Sequence, residues 1–308
     1  MSAAVRGKAI YRGALIPEYT IGIGVVLGVF SSAAAFRFGD YAITISENAA
    51  DSPLGIEVDA VPLALLRAHV GASVQVQDRV MLIGGDVWSI DVAAAVPWPG
   101  QRVESLEIAA SAMPKTLILS EKTVAAFLRG ERREIGFSGL LCFSGEEWRF
   151  RDSGNAGILF AALPPIRLFE KGFIACDGAL CRAAAERLLG LGPGLTPSGD
   201  DFLVGLLAVL GSVMAGETRS TFYNDLLQEL CTIPAGRTNP YGGSLFRCVV
   251  AGYAPSAVVT AIRSLLRDDD AIASLRRLAD IGGSSGVDAL AGVMFGVSLM
   301  GRACRERL

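Results

Sequence analysis

Two adjacent carboxylates stand at the head of an apolar run in "LLGLGPGLTPSGDDFLVGLLAVLG", residues 188–211. A helix start needs one capping side chain. Here Thr196, Ser198, Asp200 and Asp201 are all supplied, with Gly192, Gly194 and Gly199 around them. Carboxylates can orient an N–H group or accept its proton. Glycines let a ligand approach the backbone amides, and a helix N-terminus attracts anions. The chemistry on offer is the binding of an anion at a glycine-lined helix start.

A second stretch repeats the first. "SGDDFLVG" from Ser198 and "SGVDALAG" from Ser285 share Ser-Gly-x-Asp-x-Leu-x-Gly in one register. Ser198 pairs with Ser285, Gly199 with Gly286, Asp201 with Asp288, Leu203 with Leu290 and Gly205 with Gly292. Each copy reads as a capping box, a serine N-cap with an acid three residues on. In the first copy Thr196 and Pro197 are an alternative N-cap and N1. Two capped, buried helices would produce much of this pattern. A repeated first-turn glycine argues for more, because glycine costs about 1 kcal/mol against alanine there. The expectation is that Gly205 and Gly292 let the helices cross tightly, so that both starts converge on one pocket. Ser284, Ser285 and Gly286 would line it from the second side, Thr196, Ser198 and Gly199 from the first. "AGRTNPYGG" adds Arg237, Thr238 and Asn239 ahead of a Pro-initiated helix. Arginine is a natural bidentate partner for a carboxylate or phosphate; the plainer reading is a polar loop.

Composition narrows the function classes. Of 308 residues about half are apolar, and the net charge of −3 comes without a basic cluster, which argues against nucleic acid. The cysteines at 142, 176, 181, 231, 248 and 304 form no C-x-x-C pair and no zinc spacing. His69 is the single histidine, so a His-based metal site is nearly excluded, and "LALLRAHVG" places it at a helix end. A Mg²⁺ or Ca²⁺ site on the aspartates is a weaker option, since adjacent side chains on a helix diverge. No metal and no cofactor are expected. Arg6, Lys8 and Arg12 before "IGIGVVLGVFSSAAAF" resemble a signal peptide, but Glu18 and the glycines at 22, 24 and 28 suit strands and turns better. The expected location is cytoplasmic, with no membrane span.

The elements that must position these residues fall into two halves, an α+β chain. Residues 1–158 read as a β-rich barrel or sandwich. "FRFGDYAITIS" breaks at Gly-Asp, and "SVQVQDRVMLIGGDVWSIDV" alternates, turns at Gly84-Gly85-Asp86 and alternates again. "IGFSGLLCFSGEEWRFR" suggests another hairpin around Ser144-Gly145-Glu146, and "DAVPLALLRAHV" and "SEKTVAAFLRG" are short helices. Residues 159–308 change to helical periodicity and carry both motifs, with a linker near "DSGNAGILFAALPP".

"GLGPGLTPSGDDFLVG" with "GGSSGVDALAG" resembles a bacterial family, long catalogued as a domain of unknown function, that includes the AllH-type subunit of oxamate carbamoyltransferase. "VFSSAAAFRFGDYAITI" and "SPLGIEVD" are similar to its amino-terminal features. The resemblance implies a β-rich domain followed by a helical one. It also implies work in allantoin and purine-nitrogen breakdown, beside an FdrA-like subunit and a further companion. The reaction would join oxamate and carbamoyl phosphate, or run back from oxalurate. The family's histidines are replaced here by Gly28 and Gly283. On this reading Asp200, Asp201 and Asp288 are the catalytic candidates, with Asp201 and Asp288 as cap-bound orienters and Asp200 the freer acid. The substrate or anion would be bound by Gly192, Gly194, Thr196, Ser198, Gly199, Arg237, Thr238, Asn239, Ser284, Ser285 and Gly286. The competing reading is a non-catalytic assembly subunit.

Overall fold

The computed structural model describes residues 5–16, 22–47, 52–77, 79–85, 87–93, 95–98, 101–103, 122–123, 127, 136–141, 143–144, 147–148, 156–214, 220–267 and 270–305. The chain is α+β: a closed, barrel-like sheet comes first and a helical region follows. By internal contacts it divides into two compact units, Met1–Gln101 and Arg102–Leu308. The division expected from the sequence, 158/159, falls inside the helix that starts at Ala156.

The first unit is built from β1 (Val5–Arg12), β2 (Gly22–Val29), β3 (Ala33–Phe38), β4 (Tyr41–Ser46), β5 (Gly55–Val58), β6 (Ser73–Gln77), β7 (Val80–Ile83), β8 (Trp88–Asp91) and β9 (Val96–Pro97). The order is β5-β4-β3-β2-β6-β7-β8-β1-β9, and β1 also pairs with β5, which closes the sheet. The pairings β1–β8, β1–β9 and β4–β5 are parallel, whereas β2, β3, β6 and β7 pair antiparallel with their neighbours. Closure removes free sheet edges. Period-two alternation sends Val74, Met81, Ile83, Trp88 and Ile90 inside. Gly7 in β1 leaves room for Trp88; a Cβ there would sit 3.1 Å from the indole Nε1.

The Gly39-Asp40 and Gly84-Gly85 turns stand where the sequence puts them, with Gly39, Gly84 and Gly85 at positive φ. The long alternating run before Gly84 hides a further hairpin. β6 and β7 pair Gln77 with Val80, and Arg79 takes φ 67°. A two-residue turn with no glycine leaves little trace in a hydrophobic pattern. The apolar stretch at 21–36 forms parts of β2 and β3. A short helix, Leu63–Arg67, is followed by a turn holding His69, whose Nδ1 lies 2.8 Å from the Leu65 carbonyl oxygen. The hairpin expected at 144–146 is present, pairing Phe143 with Trp148 and Ser144 with Glu147. The helix expected over 120–130 falls largely outside the described residues, with Lys122, Thr123 and Phe127 helical.

Among the described residues of the second unit, the helices from Ala156 onward are Ala156–Ile174, Gly178–Leu188, Ser198–Met214, Ser220–Cys231, Pro240–Val250, Ser256–Arg267, Ala271–Ala279 and Ser285–Arg305. One correction concerns the linker. From Ala156 onward the supposed linker is helix, with Pro164 and Pro165 inside it. An interior proline costs about 3 kcal/mol. Burial of Leu159, Ala162, Ile166, Phe169 and Phe173 in the core offsets that. Every residue of the Ser198–Met214 helix is buried, so it runs through the centre of this core. The Ser285–Arg305 helix lies against it. By length and composition Ser285–Ala303 is apolar enough to cross a membrane, yet nearly all of it is buried in the protein, as a core helix must be.

Candidate functional site

The two central helices meet at glycine. A Cβ on Gly205 would run into the carbonyl oxygen of Ala289, and one on Gly292 into that of Phe202. Ala289 follows Asp288 and Phe202 follows Asp201, so the two contacts are counterparts in the repeated register. The starts are held equally tightly. A Cβ on Gly199 would strike the Leu188 carbonyl, and one on Gly286 the Leu278 carbonyl. The first-turn glycines are thus a packing requirement.

The capping expectation needs correction. Asp201 N–H donates to the Pro197 carbonyl and Asp288 N–H to the Ser284 carbonyl, so Pro197 and Ser284 occupy the cap positions. Ser198 and Ser285 are already inside the first turn. Their hydroxyls serve the opposite helix: Ser285 hydrogen-bonds Asp201, and Ser198 hydrogen-bonds Asp288. Each serine thus hydrogen-bonds the acid of the other helix. The helix starts do converge, as the repeat predicts.

Each aspartate has its own surroundings. Asp200 is 1% exposed and accepts from Gly190 N–H at 2.7 Å and from the Thr238 hydroxyl at 2.5 Å. Burial outweighs these bonds and pushes its carboxyl up to about 6. Gly242 packs on the same carboxyl, where a Cβ would strike Oδ2. Asp201 is raised well above the usual carboxylate range, by burial first and by the Asp288 charge second, against hydrogen bonds from Ser285 and Thr196. The Thr196 and Ser285 hydroxyls are themselves 2.6 Å apart. Asp288 is fully buried; its Oδ1 accepts from Phe137 N–H at 2.5 Å, and burial raises its carboxyl too, against bonds from Phe137, Ser198 and Ser284. Gly136, at φ 52°, leaves the space that this carboxyl fills. Asp201 Oδ2 and Asp288 Oδ2 are buried without a hydrogen-bond partner.

The expectation that Asp200 is the freer acid is reversed. Both its oxygens are engaged, and the unengaged ones belong to Asp201 and Asp288. Some of the proposed amide donors are also occupied: Gly199 N–H donates to the Leu191 carbonyl and Gly286 N–H to the Ile281 carbonyl. Arg237 is drawn elsewhere. Its guanidinium reaches the Glu186 carbonyl at 3.0 Å and the Glu186 carboxylate at 3.5 Å, closing the end of the Gly178–Leu188 helix. Thr238 braces Asp200, and Asn239 caps the Pro240–Val250 helix through Tyr241 and Gly242 N–H while its Nδ2 approaches the Gly194 carbonyl at 3.4 Å. The partly exposed rim is made by Gly192, Thr196, Thr238, Asn239, Ser284 and Ser285, with Gly194 exposed. Among the described residues no group of three or more His, Cys, Asp or Glu is arranged to hold a metal ion.

Sequence reasoning missed Gly136, Phe137 and Gly242. Gly242 lies in the quoted "NPYGGSLFR", but its role depends on which carboxylate folds onto it. Phe137 acts through its backbone amide, which no side-chain type reveals.

Residues 188–297 match the family model of the oxamate carbamoyltransferase subunit AllH. Over that stretch the chain is similar to the AllH family, which agrees with the resemblance carried by the two motifs. The family's name is that of one subunit of a multi-protein enzyme. No curated protein and no solved structure matches the chain.

Proposed function

We propose that this chain is a subunit of a cytoplasmic carbamoyltransferase complex acting on oxamate or oxalurate and carbamoyl phosphate in allantoin and purine-nitrogen breakdown. Its companions would be an FdrA-like subunit and one further subunit. The observation that carries this reading is coincidence. The matched segment 188–297 contains both helix starts and the 238–239 loop, that is, all three buried aspartates and most of their partners. In the forward reaction the oxamate amide nitrogen attacks the carbonyl carbon of carbamoyl phosphate. A new C–N bond forms, the C–O bond to phosphate breaks, and the nitrogen gives up a proton. The chemistry rests on positioning and on fixed donors, because the leaving phosphate and the carbonyl both need them. The hydroxyls of Thr196, Ser284 and Ser285 at the rim would orient the anion. Asp201, at 6% the most exposed of the three acids, would orient the amide N–H.

The test is reconstitution with the companion subunits. Carbamoyl transfer should need this chain, the chain alone should show little or none, and Asp201→Asn should cut turnover severely while the complex still assembles. Full turnover with Asp201→Asn sinks the catalytic assignment. A second reading has its own support: the exposure of 1% at Asp200 and 0% at Asp288 suits a rigid assembly subunit whose polar cluster only fixes the helix crossing. Under that reading Asp201→Asn changes assembly and turnover together.

A further inference from the structure

We propose that Asp201 and Asp288 hold one proton between them, so that the pair carries a single negative charge at neutral pH and locks the two central helices together. The argument is geometric. The glycine contacts fix the helix crossing, and the crossing fixes both acids at the same turn of their helices. The exchanged serine hydroxyls show that each carboxyl faces the other helix's start. Each acid has donors on one side: Ser285 and Thr196 for Asp201, and Ser198, Ser284 and Phe137 N–H for Asp288. Each also keeps one buried oxygen, Oδ2, without a partner.

Two charged carboxylates in that position would repel across a medium with little screening. The other charged group acting on Asp201 is Asp200, also an acid; none of the arginines or lysines among the described residues compensates the pair. Its remaining neighbours from the 136–137 segment, the 190–197 loop and the 282–284 turn contribute hydroxyls or backbone amides. A buried oxygen left without a partner is costly. One proton removes the second charge and turns one carboxyl into a donor for its neighbour. The two acids then titrate as a pair, not singly.

The experiment uses the isolated full chain without substrate, so its outcome does not depend on the carbamoyltransferase reading. Urea unfolding is measured at pH 6.5 and 7.5, above the range in which unfolded carboxyls titrate and above Asp200. A native state that keeps one extra proton loses about tenfold in its folding equilibrium constant over that unit. Wild type should show this loss, and Asp201→Asn and Asp288→Asn should each weaken it clearly, because an amide beside a carboxylate removes the repulsion that adds to the effect of burial. A wild type with no such slope, or Asn variants that keep it undiminished, overturns the proposal. Should both variants fail to fold, infrared spectra of wild type with ¹³C-labelled aspartate at pH 7.5 decide the matter. A protonated carboxyl band supports the shared proton, and a purely ionised spectrum refutes it.

Discussion

The helix start at Ser198 and the one at Ser285 are alike in what they need to cross and unlike in what they carry besides. Both lend a serine to the other's aspartate, and both press a glycine onto the other's carbonyl. Only the first carries a second acid: Asp200 stands where the second start has Val287. Asp200 has a socket built for it, from Gly190 N–H, Thr238 and the missing side chain of Gly242. The shared features are thus explained by packing, and the unshared one is not. A helix crossing does not require Asp200, so its socket is a feature that the packing of the two starts leaves unexplained.

The largest effect comes from forcing the starts to match. Val287 is 4% exposed, and Val287→Asp would bury a carboxyl in a site that holds a valine. A loss of about 4 kcal/mol or more in urea unfolding is expected. A stable Val287→Asp protein would mean that the second start has a socket as well. Next come the crossing glycines. Gly205→Ala and Gly292→Ala should each cost about 3 kcal/mol by overpacking, and by similar amounts, since each presses on the counterpart carbonyl. Unequal losses would break the symmetry.

Asp200 supplies a pH test of the same order. Its carboxyl is raised from 3.8 to about 6, so the stability it contributes is complete below about pH 4 and is lost as pH rises through 6. The swing amounts to about 3 kcal/mol and should be missing from Asp200→Asn when the two proteins are compared across that window. The smallest effect is at the serines. Ser198→Ala and Ser285→Ala each remove a hydroxyl from a buried acid, for about 1–2 kcal/mol apiece. Ser285→Ala should be slightly the worse, because Thr196 also loses its partner at 2.6 Å.

Much of this was legible in the chain. The alternation in β7 and β8 and the Gly39 and Gly84-Gly85 turns mark the barrel, because side chains that alternate across a sheet leave a period of two. The helices from Gly178 onward follow from period and caps, Asp177 and Asn239 among them. The repeated Ser-Gly-x-Asp-x-Leu-x-Gly gave the pairing of the two starts, since glycine one turn beyond each acid is useful only if another backbone arrives there. Less legible was Pro164-Pro165, which looks like a break and is carried inside a helix by burial.

What the sequence determined by itself is local: which segments are strands or helices, and that two glycine-marked starts match. Period, turn residues and propensity act between near neighbours and are written in order along the chain. What tertiary structure decided is the ownership of each polar group. It turned the serines from caps of their own helices into donors to the opposite acids. It drew Arg237 to Glu186, and it brought the Phe137 amide, far away in sequence, to Asp288. It also left one oxygen on each of Asp201 and Asp288 unclaimed. Hydrogen bonds and buried charges depend on distances of a few ångströms between distant parts of the chain, and those distances exist only once the two helices have crossed.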